Sequence, residues 1–458
     1  MQIALWYPAR RSAQPPMRYG EYIDRLGQEL DFGAITAAVR QRAVEKFMEM
    51  PAGLGGDTAT LRRELPRLRS LSTDALVNAP SGIGRFPVVL FPEYRAPASN
   101  SVLAEYLASH GYVVASPTLK GTFDAAPETS ARGLETIAAD LRFVLSALDS
   151  LPFVDHDRVS AMGVGIAASG ALALQMRTPA LRALVSLEGG ITTALEVGLI
   201  AATPYFDVAA VRVPILAITA PHPSVDAARL DVYRYATRHV VHFPRMGEFW
   251  FLNFGPLERL VPGIIGPPPG DVSAGFEWGA RWVRLFLDGY VRGDSAALTL
   301  LASGRWPPGA ADSLFSVAVR AALPAPPSVA ELKQLVLGGG TRALATLADQ
   351  RRATDSQPIP NDYLAAVASW LGNSGRDPSG NARHEIATLR ATMYPRSARA
   401  RFSLGMSASA RRDSTLARTQ LAETLRLLAD DGDPALDRPT RARIEAQARE
   451  VLARLGTR

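Results

Sequence analysis

The sequence predicts a mostly parallel α/β sheet covered by helices, followed by an all-α unit of helical repeats. Three observations predict it. Between residues 75 and 323, short apolar β-rich runs alternate with amphipathic helical patterns, the rhythm of parallel strands joined by crossover helices. At Leu323-Pro324-Ala325-Pro326-Pro327 proline removes backbone donors and stops any helix, which marks a linker over 324–327. Beyond it, to residue 458, no strand-like run occurs.

Taken in order, Gln2 to Pro8 alternates like a strand, and residues 17–73 interrupt the rhythm with helical patterns. They read as an insertion that packs on the sheet or over its C-terminal edge. Val88 to Phe91 is a buried-strand run, and Asn100 to His110 is helical, with Leu103, Tyr106 and Leu107 on one face and Gly111 as its stop. Tyr112 to Ala115 is the next strand. Ile137, Leu141, Val144 and Leu148 recur at helical spacing. Val159 to Val164 is a strand, and Ala167 to Met176 a small-residue helix. Leu184–Leu187, Ile215–Ile218 and Val240–Phe243 complete the strands; Trp278, Trp282, Leu285 and Phe286 mark a long helix ending near Gly293. The first domain is therefore expected over 1–323.

Past the linker, Ser328 with Glu331 forms a capping-box pattern. Two later segments look alike. One runs from Tyr363 through Leu371-Gly372 to Ala382, Ile386, Leu389 and Met393; the other runs from Phe402 through Leu404-Gly405 to Ala417, Leu421, Leu425 and Leu428. The Leu-Gly pairs are 33 residues apart and Ala382 and Ala417 are 35 apart. This period and pattern resemble the tetratricopeptide repeat, with residues 438–456 as a capping helix and the domain spanning 328–458.

Composition excludes several classes. With 47% hydrophobic and 21% charged residues, the chain is not intrinsically disordered. It has no Cys, so disulfides, thiolate metal sites and a Cys nucleophile are ruled out. No apolar run reaches the roughly 18 residues of a membrane span. Met1 leads into the first strand-like stretch without a basic n-region or apolar h-region, which predicts a cytoplasmic protein as written. Export through an upstream signal segment missing from the sequence is the alternative. Arg and Lys number 50 against 44 Asp and Glu, and residues 328–458 hold 20 against 14, so the whole excess lies there. Arg396, Arg399, Arg401, Arg411 and Arg412 cluster without aromatic neighbours, and Asp430, Asp431, Asp433 and Asp437 follow. That pattern argues against nucleic acid and for a solvated surface or a groove for an acidic peptide or protein.

Four stretches carry a family resemblance: Phe86 to Phe91, Leu107-Ala108-Ser109-His110-Gly111-Tyr112-Val113-Val114, Arg158 to Gly165, and Val213-Pro214-Ile215-Leu216. They resemble the α/β-hydrolase fold, most of all its dienelactone-hydrolase and platelet-activating-factor-acetylhydrolase-like branch. The resemblance implies a nucleophile in G-x-S-x-G on a tight strand-to-helix turn. This chain has Gly163-Val164-Gly165-Ile166-Ala167, so the apex is Gly165, which has no side chain to attack with. The implied base, a His in a stretch like Pro-x-x-x-His-Phe-x-Phe, is matched by Glu248 in Pro244-Arg245-Met246-Gly247-Glu248-Phe249-Trp250-Phe251. The implied acid falls at Glu188. The oxyanion loop reads Pro92-Glu93-Tyr94-Arg95, and a carboxylate there repels the charge that acyl transfer must develop.

The leading expectation is a hydrolase fold without esterase catalysis that acts by binding a small molecule or a protein. Glu93, Tyr94, Arg95, Lys120, Glu188 and Glu248 are the expected lining of the vacated crevice, at the carboxyl ends of the strands. They either pair with one another, as Glu93 with Arg95 or Glu248 with Arg245, or form a ligand pocket. An active carboxylic-ester hydrolase with a displaced nucleophile is the second expectation. It needs Ser169, or another hydroxyl, beside an imidazole such as His222 or His242. The third is an adaptor working through its repeats. No cofactor is expected. Asp155-His156-Asp157 offers ligand types, but adjacent positions on one turn do not converge on a metal.

Overall fold

A computed structural model of the protein describes residues 2–28, 33–121, 126–178, 181–304, 314–430, 436 and 438–456. The chain divides into two compact units, Met1–Ala322 and Leu323–Arg458. In the first, eight strands form one sheet: β1 (Ile3–Trp6), β2 (Phe86–Leu90), β3 (Val113–Pro117), β4 (Val154–Val164), β5 (Leu181–Leu187), β6 (Ile215–Thr219), β7 (Arg238–His242) and β8 (Ser316–Arg320). Their spatial order is β1-β3-β2-β4-β5-β6-β7-β8. The six central strands run parallel. Both edge strands, β1 against β3 and β8 against β7, are antiparallel.

Helices cover both faces, as a parallel sheet requires. One core gathers Ile23, Leu26, Leu61, Tyr112, Trp282 and Phe286. The other gathers Ile137, Leu141, Val144, Leu172 and Tyr233. Strand β4 serves both, since Ala161 joins one core and Met162 the other. Behind it, helix α6 (Ile166–Arg177) is buried from Ile166 to Gln175. Its small residues let it approach α5 (Ala131–Leu148) closely: a Cβ on Gly170 would meet Ile137 Cγ2 at 2.2 Å.

The interruption at 17–73 contains α1 (Tyr19–Arg25), α2 (Ala37–Gly53) and α3 (Thr58–Ser70). Its apolar residues join the first core, and Arg95, beyond the carboxyl end of β2, pairs with Glu49 of α2 at 3.5 Å. The insertion thus packs on one face and also reaches the strand ends. One expectation needs correction. The sheet does not end with the strand at Val240: α9 (Val272–Tyr290) is followed by α10 (Ser295–Ser303) and by β8. Strand β8 lies at the edge and buries little, so its pattern is weak.

The second unit is helical throughout its described residues: α11 (Val329–Arg351), α12 (Asn361–Asn373), α13 (Asn381–Met393), α14 (Ala398–Ala410), α15 (Ser414–Ala429) and α16 (Arg438–Gly456). The capping box forms, with Ser328 Oγ accepting from Glu331 N and Glu331 Oε2 accepting from Ser328 N. Gly340, at φ +67°, breaks α11 into two segments. The predicted acidic residues Asp431, Asp433 and Asp437 lie outside the described residues. No helix among those described is long and apolar enough to cross a membrane.

Candidate functional site

Strand β4 ends at Val164 and α6 begins at Ile166, leaving one residue to make the turn. That residue is Gly165, at φ 52°, ψ −130°. This backbone region is open to glycine and strained for other residues. The tight strand-to-helix turn is therefore present with no side chain at its apex.

Two of the predicted neighbours converge on it. Gly165 N donates to the Glu188 carbonyl at 3.0 Å, which places Glu188 beside the apex at the end of β5. Glu188 also has positive φ (43°), and Gly189 and Gly190 continue the left-handed run. Glu248 opens a short turn over Glu248–Phe251, and its Oε1 lies 3.2 Å from where a Cβ on Gly165 would stand. A carboxylate oxygen thus faces the position a nucleophile would occupy.

Electrostatics at the apex is that of crowded acids. Burial, then the Glu248 and Glu196 carboxylates, push the Glu188 carboxyl up to about 7. Burial raises Glu248 as well, partly offset by His222. Glu196 on α7 (Ala194–Ala201) is raised by burial and by Glu248. Glu196 carries no sequence signal, because α7 is almost wholly apolar and lacks an amphipathic stripe.

The loop after β2 is closed on itself. Glu93 is buried, and its Oε2 accepts from the Arg95 amide at 2.6 Å and from the Ser99 hydroxyl. The Tyr94 amide also donates to it. Amides that could face an oxyanion are thereby given to an internal carboxylate. The expected Glu93–Arg95 contact is a backbone one, and the Arg95 guanidinium turns to Glu49. The expected Glu248–Arg245 pair does not form: Arg245 is exposed and its side chain packs along Gly270. Tyr94 is half-buried, and the charges of Glu93, Glu248 and Glu196 all raise its hydroxyl. Lys120 is half-buried beyond the carboxyl end of β3.

Ser169 is fully buried within α6 and its Oγ has no hydrogen-bond partner among the described residues. One hydroxyl–imidazole pair does occur at the carboxyl edge of the sheet. Thr219 Oγ1 lies 3.1 Å from His242 Nδ1, across registered ends of β6 and β7. The sequence had offered His242 but not its partner, which only strand register supplies. Thr219 is itself buried. Asp155, His156 and Asp157 lie within β4 and not on the expected turn, and Asp155 pairs with Arg158 at 2.6 Å and His156 with Asp149 at 3.3 Å. Among the described residues, no group of three His, Asp or Glu is placed to hold a metal ion.

The second unit carries a groove of about 820 Å³. Arg383, Arg390, Arg399, Arg411 and Arg443 line it, with Phe402, Met406 and Ile444 between them. Of the predicted arginine cluster, Arg399 and Arg411 face this groove, while Arg401 bonds Gln420 on the α14–α15 side. Arg399 is paired with Asp362 at 2.9 Å.

No family model matches the sequence, and no curated protein matches it. Among solved structures, the chain is similar to a ferulic acid esterase from Streptomyces cinnamoneus, at 18% identity and a TM-score of 0.48, over 70% of this chain and 88% of that one.

Proposed function

We propose that this chain is an α/β-hydrolase-fold protein of the dienelactone-hydrolase-like type that has lost esterase catalysis and acts by binding. The observation that carries this reading is the elbow itself. Gly165 keeps the strained turn (φ 52°, ψ −130°) with no side chain on it, and Glu248 Oε1 lies 3.2 Å from where a Cβ there would stand. With no side chain at Gly165 there is no hydroxyl for a neighbouring carboxylate to activate, and the Glu93 carboxylate occupies the amides of the neighbouring loop. The protein is expected to leave p-nitrophenyl esters unturned and to resist fluorophosphonate labelling. Labelling that disappears in Ser169→Ala or Thr219→Val would overturn the reading in favour of an esterase with a displaced nucleophile.

A second reading is favoured by the arginine-lined groove of about 820 Å³. Here the helices act as a tetratricopeptide-like adaptor for an acidic peptide, using the concave surface such repeats form. Fluorescence anisotropy with a glutamate-rich peptide and the full chain tests it. Binding should weaken in Arg443→Glu and Arg411→Glu; unchanged affinity in both excludes the groove.

A further inference from the structure

We propose that the site around Gly165 takes an organic cation, a primary ammonium or guanidinium group, held between Glu188 and Glu248 with Glu196 and the Tyr94 ring at its mouth. The proposal rests on the reading of the site as one of binding, and adds the chemical class of the ligand.

The charge of the site is the reverse of what ester hydrolysis needs. Hydrolases of this fold gather donors around an oxyanion. Here Glu188, Glu196 and Glu248 act on one another as like charges. Glu93 is satisfied by Ser99 and by the loop amides, so it belongs to the loop and not to the ligand. Glu188 is different. It is 3% exposed, and its Oε1 has no hydrogen-bond partner among the described residues. A buried carboxylate without a donor is costly, and a bound cation supplies both the donor and the opposite charge.

Shape favours an organic cation over a metal. No three acidic or imidazole groups among the described residues are close enough to close around an ion. An ammonium with three N–H donors, or a guanidinium with five, can reach carboxylates that are spread apart. Gly165 keeps Glu248 Oε1 uncrowded, because any Cβ there would stand 3.2 Å from that oxygen. The half-buried Tyr94 lies in the same field of acids, those of Glu93, Glu248 and Glu196. The charges named as acting on Glu188 are both carboxylates, those of Glu248 and Glu196.

The test is isothermal titration calorimetry on the full chain with putrescine and agmatine, against 1,4-butanediol and succinate, with p-nitrophenyl acetate assayed in parallel. The two amines should bind, and the diol and the dianion should give no heat. Glu188→Gln and Glu248→Gln should each weaken amine binding about tenfold or more. Both variants remove repulsion within a buried acid cluster, so thermal melts should show them folded; Glu445→Gln, on α16, should bind as the parent does. Silence with both amines, undiminished binding in Glu188→Gln, or binding of succinate would overturn the proposal while leaving a non-catalytic site intact. Ester turnover by the parent protein would instead overturn the reading beneath it.

Discussion

Gly165 concentrates what the sequence could and could not reveal at the scale of a residue. Its place was legible, because an apolar strand run followed by Gly-x-Gly leads directly into a small-residue helix. Glu248 was reached only through the family resemblance, whose Pro-x-x-x-His-Phe-x-Phe stretch lines up with Pro244 to Phe251. Glu196 and the Thr219–His242 pair were not, since one needs an unpatterned helix and the other needs strand register. The geometry at Gly165 yields a prediction. Gly165→Ser places a side chain in a region that costs about 1–3 kcal/mol for a non-glycine residue, so urea denaturation should show a loss of that order. The new hydroxyl would meet a carboxylate and not an imidazole, and fluorophosphonate should label Gly165→Ser/Glu248→His faster than Gly165→Ser alone. Equal labelling of the two would mean that Glu248 already serves as a base.

Among elements, strands and helices with one strongly buried face were legible, and those without one were not. Helix α5 buries Leu134, Ile137, Leu141, Val144 and Leu148 along a stripe, and its period is plain in the sequence. Strand β8 exposes Ser316, Ala318 and Val319, so it reads as loop. In the second unit, the second Leu-Gly pair has a physical reason that can be tested, whereas a Cβ on Gly372 would first meet the Arg383 side chain, at 3.2 Å. Gly405 on α14 lies where a Cβ would stand 2.7 Å from Leu421 Cγ on α15. The pair of helices therefore depends on a missing methyl. Gly405→Ala should cost about 1–3 kcal/mol by overpacking, and amides of α14 and α15 should exchange faster by hydrogen–deuterium mass spectrometry. Gly338→Ala is the control: no atom lies within 4 Å of its Cβ, it sits in α11, and the change should slow local exchange if anything. Unchanged exchange in Gly405→Ala would show that α15 can withdraw at no cost.

At the scale of the whole molecule, net charge conceals the arrangement that matters. The excess of basic residues lies beyond residue 327, and the preceding part balances 30 Arg and Lys against 30 Asp and Glu. That balance hides acids gathered at one turn, and pH exposes them. Glu188 titrates at about 7 in the folded chain against an ordinary 4.5. Between those values the folded chain holds more protons than the unfolded one, so stability falls as pH rises through the window and levels off above it. Glu93, Glu196 and Glu248 are shifted in the same direction. His239 opposes them: burial lowers it to about 4 from 6.5, so its contribution is lost as pH falls through that range. The parent melting curve mixes both effects, and a difference separates them. Glu188→Gln carries no charge at any pH, while Glu196 and Glu248 still face the position. Its melting temperature minus that of the parent should grow as pH rises from about 4.5 to about 7 and stay flat beyond. A difference constant with pH would mean that Glu188 ionises as an ordinary carboxyl and that the acids around Gly165 stand too far apart to act on one another.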